Sequence, residues 1–187
     1  DREAILTSRN KAGVLAALER EGLPVPETTL VSNPVDDDAV AAAAAALQEE
    51  TAQDELVVKP NSTTRGVGVA RVGDPDSLLG VTDYLDLVHD FRATGDRSYL
   101  LQEYLPAARD YRAMVVDGEY AGAVERRLPS EETAAGRWKH NVHRGAVAEG
   151  VSLPAESREL AEDAAAVLDI DYVGVDLLET DDRLVVN

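Results

Sequence analysis

Cysteine and large side chains of several kinds are scarce in this sequence. Its 187 residues include no cysteine, one tryptophan, one phenylalanine and one methionine. The absence of cysteine excludes disulfides, zinc–thiolate sites and a thiol nucleophile. No apolar run approaches the roughly 20 residues that cross a bilayer, and the N-terminus shows no signal-peptide pattern. We therefore expect a cytoplasmic protein without a membrane partner.

Positively charged residues are also scarce in this sequence. Aspartate and glutamate number 36 against 18 lysines and arginines, which gives a net charge of −18 and a pI of about 4.4. Such a chain lacks the basic surface that nucleic acids require, so we expect no nucleic-acid partner. Many acids with few lysines are typical of a halophilic archaeon, because molar salt shortens charge repulsion to about 3 Å. The three lysines, Lys11, Lys59 and Lys139, are then candidates for chemistry.

The rest of the composition, 44% hydrophobic and 29% charged residues, is that of a globular protein. Helical and strand patterns are mixed along the chain, and Asp117-Gly118 between two strand patterns predicts a hairpin. We therefore predict an α+β fold and not a doubly wound parallel sheet. A break near residues 103 to 106 would separate two lobes, about 1–102 and about 103–187, and residues 128 to 150 look irregular.

A first candidate site lies where the strand pattern ELVVKP ends in Lys59 and the loop NSTTRGVG follows. A lysine before a loop with glycines and hydroxyls suits a phosphate site, because the ammonium and the backbone amides both attract oxyanions. The loop is not a P-loop, because the lysine precedes it, and Gly66 and Gly68 alone are weak evidence. An edge-strand lysine before an ordinary hairpin explains the same residues.

A second candidate is the segment LLQEYLPAARDYR. A strand that delivers Gln102, Glu103 and Tyr104 to a kinked connector could present backbone groups and a carboxylate to a purine. Asp110, a few residues on, could take ribose hydroxyls. A solvated strand end is the alternative.

Basic residues crowd into a third segment, from Glu125 to Arg144. The segment contains Arg126, Arg127, Lys139, Asn141, His143 and Arg144. Such crowding in an acidic chain predicts anionic company, either phosphates, substrate carboxylates or the acids of the chain itself in a salt-bridge loop. His140 and His143 have no third histidine or thiol nearby, which disfavours zinc.

Asp176 interrupts the apolar strand pattern GVDLLE. An aspartate that is buried and unpaired is costly, whereas a carboxylate oxygen suits a hard cation such as Mg²⁺. An aspartate exposed to water at a strand edge is the alternative.

Taken together and in order, five segments resemble the ATP-grasp superfamily, and most closely its RimK-type amino-acid ligases. The segments are NKAGVLAALEREGLPVPET, LVVKPNSTTRGVGVARV, LLQEYLPAARDYRAMVVDGEYAGAVERR, WKHNVHRGAVAEGVSLP and DYVGVDLLETDDRLVVN. The run NVHRG after the paired arginines of ERR is the most RimK-like part. The resemblance covers nearly the whole chain and implies an ATP-grasp fold, in which two α+β lobes grip ATP between them.

The resemblance also implies an activity, ATP-dependent carboxylate–amine ligation through an acyl phosphate, with ATP and Mg²⁺ (or Mn²⁺) as cofactors. Glutamate would be the amino acid added, an amine or carboxylate acceptor the other substrate, and a homo-oligomer is in keeping with RimK-like proteins. Three alternatives stay open. They are a LysX-like or coenzyme-glutamylating ligase, a non-catalytic ATP-binding module, and an interaction domain whose arginines form only salt bridges.

Individual roles follow from the resemblance position by position. The positions that would bind the nucleotide are Lys11 and Lys59 at the phosphates, Thr63, Thr64 and Gly66 in a mobile phosphate loop (62–68), Gln102, Glu103, Tyr104 and Leu105 along adenine, Asp110 at the ribose, and Arg112 near the phosphates. The positions that would act at the acyl phosphate are Arg127, Asn141 and Arg144, and Asp176 would be a magnesium ligand.

Some features depart from the family pattern. The second metal motif of the family, Glu-x-Asn, would begin directly after Asn187, and the separate N-terminal domain is missing, so we expect this chain to be part of a longer protein. Thr63 stands where family members commonly have a glycine, which predicts a stiffer phosphate loop. The run NVHRG replaces the Asn-Thr-Ala-Arg-Gly-Gly of LysX-type ligases and so favours RimK.

Overall fold

The computed structural model describes residues 7, 9–32, 36–63, 66–89, 98–140, 142 and 145–187. The helices in these ranges are α1 (Lys11–Arg20), α2 (Asp37–Thr51), α3 (Pro75–His89), α4 (Ser130–Ala134) and α5 (Ala155–Val167). The strands are β1 (Thr28–Ser32), β2 (Leu56–Pro60), β3 (Ala70–Val72), β4 (Ser98–Glu103), β5 (Arg109–Val116), β6 (Glu119–Arg127), β7 (Val147–Val151), β8 (Tyr172–Glu179) and β9 (Leu184–Val186).

The contacts within the chain divide it into two compact units. We call Arg9–Ala12 with Pro26–Tyr104 the four-stranded unit, and Gly13–Val25 with Leu105–Asn187 the five-stranded unit, after the sheet that each contains. The assignment of ATP-gripping lobes to about 1–102 and about 103–187 stays a prediction.

The four-stranded unit contains an antiparallel sheet in the order β1-β4-β2-β3. One face of the sheet is covered by α2 and α3, whose apolar residues Val40, Leu47, Leu78 and Leu85 pack in the same core as the strands. Helix α2 begins where the side chain of Asp36 accepts a hydrogen bond of 2.8 Å from the Ala39 N–H, an ordinary N-cap. Side chains alternate along β2, so Lys59 lies on the face opposite to that of its core neighbour Val58. Lys59 is only partly buried.

The five-stranded unit contains a second antiparallel sheet, in the order β7-β6-β5-β8-β9. Its apolar face packs against α5 through small residues, and Leu18 of α1 joins the same core. The buried members of that core are Leu18, Tyr111, Ala113, Val115, Leu153, Ala161, Ala164, Ala165, Val175, Leu177 and Val186. Because side chains alternate along a strand, the residues between these positions on β5 and β8 face the other way.

The hairpin of β5 and β6 contains a bulge that matters for the site. Near the turn Val116 pairs with Glu119 and Val115 with Tyr120, but beyond it Met114 pairs with Gly122. Ala121 is therefore the extra residue, and Gly122 has a φ of +156°, a conformation that suits glycine. The bulge shifts the register of β6 by one residue. From Gly122 onward, each side chain of β6 therefore lies on the other face of the sheet from the face that it would occupy without the bulge.

The predicted α+β architecture with mixed helices and antiparallel strands is confirmed. The turn Asp117-Gly118 joins β5 to β6, with both φ angles positive, as that dipeptide predicts. The segment 128–150 differs from the expectation of irregular structure, because it contains α4 and β7. Among the described residues, no helix is long and apolar enough to cross a membrane.

Candidate functional site

Lys59 lies in β2 opposite Leu100 of β4, and its ammonium donates a hydrogen bond to Gln102 Oε1. The amide nitrogen of Gln102 in turn donates to Thr28 Oγ1 at 2.9 Å, and Thr28 donates to the Pro26 carbonyl at 2.8 Å. Gln102 is 2% exposed. A chain of polar side chains across three strands therefore holds the charge of Lys59 in place.

Lys11 lies against the start of the loop that follows β2. Its ammonium donates to the carbonyl oxygens of Pro60 at 3.1 Å and Asn61 at 3.0 Å, and also to that of Thr63. Asn61 is buried and accepts a hydrogen bond of 2.9 Å from the Ala12 N–H, which lies at the start of α1. Lys11 thus holds the base of the proposed phosphate loop.

The described part of that loop is closed on itself. The Thr63 hydroxyl donates to the Val67 carbonyl at 2.8 Å, which ties one side of the loop to the other. Gly66 has a φ of +67° and Gly68 a φ of +75°, and a Cβ on Gly68 would lie 2.7 Å from Pro60 Cγ. The tie from Thr63 is a physical reason for the stiffer loop that the sequence predicts. Thr64 lies outside the described residues.

In the segment predicted to lie along adenine, Glu103 and Tyr104 contact other residues of the four-stranded unit. Glu103 is 3% exposed, its carboxylate accepts a hydrogen bond of 2.9 Å from the Glu27 N–H, and its own N–H donates to the Glu27 carbonyl at 3.0 Å. Tyr104 is half-buried beneath Arg71, whose guanidinium carbon lies 5.1 Å from the ring centroid. Leu105 begins the five-stranded unit. The side chains of Gln102 and Glu103 are thus engaged in hydrogen bonds within the four-stranded unit, and their placement along adenine stays a prediction.

Four charged residues lie together on the face of the five-stranded sheet opposite the apolar core. Arg112 binds Asp176 with two hydrogen bonds of 2.8 Å, one from Nε and one from a terminal nitrogen. Arg126 donates to Asp110 from two nitrogens and also lies 3.0 Å from Asp176 Oδ1. The strand register explains the cluster, since Arg112 is opposite Asp176 and Asp110 is opposite Arg126. We call Asp110, Arg112, Arg126 and Asp176 the charged cluster.

His140 lies at the edge of the charged cluster, with Nδ1 3.5 Å from Asp110 Oδ2. Nearby, the Lys139 ammonium lies 5.5 Å from the centroid of the Trp138 ring. Asn141 and Arg144, both predicted to act at the acyl phosphate, lie outside the described residues, as does His143.

Arg127 is not part of the charged cluster. It faces the opposite side of the sheet, where it pairs with Glu149 of β7 and lies 3.6 Å from Glu125 Oε2. Its side chain is 57% exposed. The structure therefore brings together Asp110, Arg112 and Asp176 of the predicted set, and the arginine of the ERR pair that lies with them is Arg126.

Hydrogen bonding fixes the ionisation of several of these groups. The hydrogen bond to the Asp176 carboxylate, and then its charge, raise the pKa of Arg112 above the ordinary arginine value. On the other face, the hydrogen bond from Arg109 lowers the pKa of Glu125, and Arg109 holds this carboxylate with two hydrogen bonds of 3.1 and 3.3 Å. Both faces of the sheet thus carry permanent charge at neutral pH.

A metal site does not form from these residues alone. No three histidine, aspartate or glutamate side chains of the described chain converge where they could hold a cation. Asp176, the predicted magnesium ligand, has both carboxylate oxygens bonded to Arg112, and one of them also contacts Arg126. In this arrangement the residues present do not fit a bound Mg²⁺.

Sequence reasoning named Arg126 only as a member of the basic segment and gave it no individual role. The paired arginines ERR do not show which of the two faces the aspartates. The available signal is Gly122 within a strand pattern, since an isolated glycine there suggests a bulge. That bulge decides the face.

Solved structures with similar folds define the class. The chain aligns with D-alanyl-alanine synthetase A from Vibrio cholerae at a TM-score of 0.71 and 15% identity, over 99% of this chain and 56% of the other. It aligns with D-alanine–D-alanine ligase from Bacillus anthracis at 0.67 and 21%, over 95% and 53%. The ATP-grasp ligase PsnB aligns at 0.65 and 19%, over 98% and 50%. The fold is the ATP-grasp fold, as predicted.

The sequence comparison narrows the class to a family. Residues 8–187 match the model of the RimK-like ATP-grasp domain, and the chain belongs to that family. It is 32% identical over 182 residues to a tetrahydromethanopterin:alpha-L-glutamate ligase of Methanosarcina acetivorans, covering 95% of this chain and 52% of the relative. It is also 32% identical over 177 residues to a ribosomal protein bS6–L-glutamate ligase of Shigella boydii, covering 94% and 53%. The chain thus spans about half the length of these relatives.

Proposed function

We propose that this protein is an ATP-dependent carboxylate–amine ligase that adds glutamate to an acceptor through an acyl phosphate. Membership of the RimK-like family supports the reaction type, and both relatives above carry glutamate ligase in their names. The observation in the structure that carries the proposal is the charged cluster. It concentrates two of the few basic side chains of an acidic protein on one sheet face, beside two carboxylates.

The proposed reaction has two steps. A carboxylate is a poor electrophile, so one of its oxygens first attacks the γ-phosphorus of ATP, the bond from that phosphorus to the β–γ bridging oxygen breaks, and ADP leaves. The amine nitrogen then attacks the acyl carbon, the carbon–oxygen bond to phosphate breaks, and the nitrogen loses a proton. Both steps depend on position and charge stabilisation. Neither needs a protein nucleophile, in keeping with a chain that has no cysteine.

The residue roles are part of the proposal. Lys59, fixed by Gln102, would contact the nucleotide phosphates, and Lys11 would hold the base of the loop beside them. Asp110 would accept ribose hydroxyls, and Arg112 would stabilise charge at the phosphates or the acyl phosphate. Further assignments stay predictions: Lys11 at the phosphates, Thr63, Thr64 and Gly66 in the phosphate loop, Gln102, Glu103, Tyr104 and Leu105 along adenine, Arg127, Asn141 and Arg144 at the acyl phosphate, and Asp176 as a magnesium ligand.

The proposed cofactors are ATP and Mg²⁺, with Mn²⁺ as the predicted alternative ion. One PsnB structure is titled as a complex with Mg and ADP, and one D-alanine–D-alanine ligase structure as a complex with ATP. When bound, a divalent cation would neutralise phosphate charge. In the described arrangement Asp176 is held by arginines, so the roles above are assigned to the protein side chains alone. A cytoplasmic location and a homo-oligomer also stay predictions.

The test is ADP release by the intact protein in molar KCl, with ATP, Mg²⁺ and isotope-labelled glutamate. Tetrahydromethanopterin and ribosomal protein bS6 are the first acceptors to supply, because the relatives are named for them. We expect ADP release to require both glutamate and an acceptor, with the label in an amide product.

ATP binding without turnover under every acceptor condition would favour a non-catalytic module. Absence of ATP binding would favour an interaction domain and overturn the proposal. Label transfer to an amino-group carrier protein, but to neither acceptor above, would favour the LysX-like alternative.

A further inference from the structure

The paired arginines Arg126 and Arg127 lie on opposite faces of β6, and the bulge decides which of them joins the aspartates. Near the turn Val116 pairs with Glu119. If this register continued without the extra residue Ala121, Asp110 would pair with Glu125. Arg127 would then lie on the same face of the sheet as Asp110. With the bulge, Asp110 is opposite Arg126. A one-residue shift in a ladder reverses the facing of every later side chain.

We propose that Arg126, and not Arg127, is the arginine of this pair that serves the nucleotide site, as a positioning residue for Asp110 and Asp176. This inference rests on the proposed function, because it assigns the role within that same site. Arg126 acts through the two aspartates, so its effect is on where their carboxylates lie.

The contacts of Arg126 suit this role. Its side chain is 14% exposed, and those of Asp110 and Asp176 are 12% and 24% exposed. The guanidinium donates to Asp110 through two of its nitrogens, and one of these also contacts Asp176. A planar guanidinium can bridge two carboxylates in fixed geometry, which an ammonium does less well. One side chain therefore sets the separation of the proposed ribose ligand and the second carboxylate.

Charge gives a second reason. Two carboxylates held close together repel, and removing the partner of a buried charge is costly. Arg126 and Arg112 supply two positive charges to Asp110 and Asp176, so the charged cluster is neutral as a group. Arg127, by contrast, pairs with a Glu149 side chain that is 62% exposed. Exposed pairs of this kind contribute little.

The experiment compares Arg126→Gln, Arg126→Lys and Arg127→Gln in the intact protein, with Arg20→Gln as a control at an exposed helical arginine outside the site. The readouts are the dissociation constant for the non-hydrolysable analogue AMPPNP with Mg²⁺, the KM for ATP, kcat, and the thermal unfolding midpoint. A merely structural role would lower the folded fraction and so kcat, but would leave the affinity of the folded fraction unchanged.

We expect Arg126→Gln to weaken AMPPNP binding and raise the KM for ATP by about 10- to 100-fold, as for loss of hydrogen bonds to charged groups. Arg126→Lys should keep the fold and recover part of the affinity, because lysine keeps the positive charge but lacks the planar guanidinium that contacts both carboxylates. Arg127→Gln should change affinity by less than about fivefold.

The inference is wrong if Arg127→Gln weakens binding as much as Arg126→Gln, or if folded Arg126→Lys and Arg126→Gln bind as tightly as the wild type. Failure of both Arg126 variants to fold would assign a structural role only and would also overturn it. If the wild type itself binds no AMPPNP and no ATP, the proposed function fails instead, and that result is distinct from any ranking of the variants.

Discussion

Gln102 is a buried side chain whose hydrogen bonds are made within the protein. The resemblance predicts that it lies along adenine, near the end of the strand that leads into the connector. In the structure its amide is turned to Lys59 and Thr28. A buried amide must satisfy its hydrogen bonds, so these contacts take precedence over a ligand.

This geometry predicts a separation between ATP and adenosine binding. Gln102→Leu removes one acceptor of the Lys59 ammonium, so we expect weaker binding of ATP with little change for adenosine. Glu103→Gln, in the next position, is the matched variant and should not discriminate between the two. Equilibrium titration with both ligands provides the measurement. If Gln102→Leu loses the same affinity for ATP and for adenosine, the prediction is wrong and Gln102 contacts adenine.

Two buried tyrosines predict how stability responds to alkaline pH. Burial raises the pKa of Tyr99 to about 12, with contributions from the charges of Asp86 and Asp37. Burial, and then the hydrogen bond to Glu179, raise the pKa of Tyr111 to about 12. Since the unfolded value is 10.0, this stabilisation is complete below pH 10 and is lost as pH rises through 12.

Absorbance of ionised tyrosine during a pH titration checks this prediction. A late step near pH 12 should shrink in Tyr99→Phe and in Tyr111→Phe, and the free energy of unfolding should fall between pH 10 and 12. If every tyrosine ionises by pH 10 while the protein is still folded, the two rings are not buried as described.

Candidate site residues can be named from the sequence where one residue type in one pattern suffices. Lys59 stands out because lysine is rare and follows an apolar strand, and Asp176 because it interrupts one. Arg126 and Arg127 are adjacent and chemically identical, so composition cannot rank them. Their ranking depends on a bulge five residues away, at Ala121.

At the scale of the strand, β8 makes room for the charged cluster by having no side chain at Gly174. A Cβ there would lie 3.2 Å from Arg112 Cδ and 3.3 Å from Met114 Sδ. The stem of Arg112 therefore occupies the space that a larger residue at this position would take. Gly150 of β7 offers a control, because a Cβ on it would meet nothing within 4 Å.

We predict that Gly174→Ala shifts the Arg112 stem and weakens its pairing with Asp176, whereas Gly150→Ala does not. Overpacking of this kind costs about 1–3 kcal/mol, so the thermal midpoint of Gly174→Ala should fall, and AMPPNP binding should weaken. Thermal unfolding and calorimetric titration of the two variants give the comparison. Equal behaviour of Gly174→Ala and Gly150→Ala would show that Arg112 does not depend on this space.

Helices and strands with a regular hydrophobic pattern could be located from the sequence. Elements without such a pattern could not. Helix α5 and strands β2, β4 and β8 have apolar residues at regular spacing, and all occur close to their expected positions. Strand β7 is exposed at four of its five positions, so its sequence carries no alternation to detect. Helix α4 has no buried residue. Strand β7 is positioned by its pairing with β6 and not by a hydrophobic pattern of its own.

At the scale of the whole molecule, the excess of acid predicts a protein that is more stable in salt. The net charge of −18 makes self-repulsion strong when the Debye length is about 10 Å, at 0.1 M salt, and weak when it is about 3 Å, at 1 M. We expect the thermal midpoint to rise steeply as KCl is raised from 0.1 M to above 1 M.

A variant of α2 is the control for this salt effect. The last turn of α2 has no basic residue, and Glu49 and Glu50 there are exposed. Negative charge is unfavourable at that end of a helix. Glu49→Gln with Glu50→Gln should therefore stabilise the protein at low salt and show a smaller response to KCl. A midpoint that stays constant or falls with KCl would contradict the prediction.

The proposed function depends on nucleotide binding by this acidic chain, to which Lys59 and Asp110 would both contribute. The most direct measurement is the dissociation constant for ATP with Mg²⁺ in molar KCl, by calorimetry on the intact protein, for the wild type, Lys59→Ala and Asp110→Asn. We expect one ATP to bind per chain, with a loss of affinity of about tenfold or more in each variant. Absence of binding to the wild type, or two variants that bind as tightly as the wild type, would contradict it.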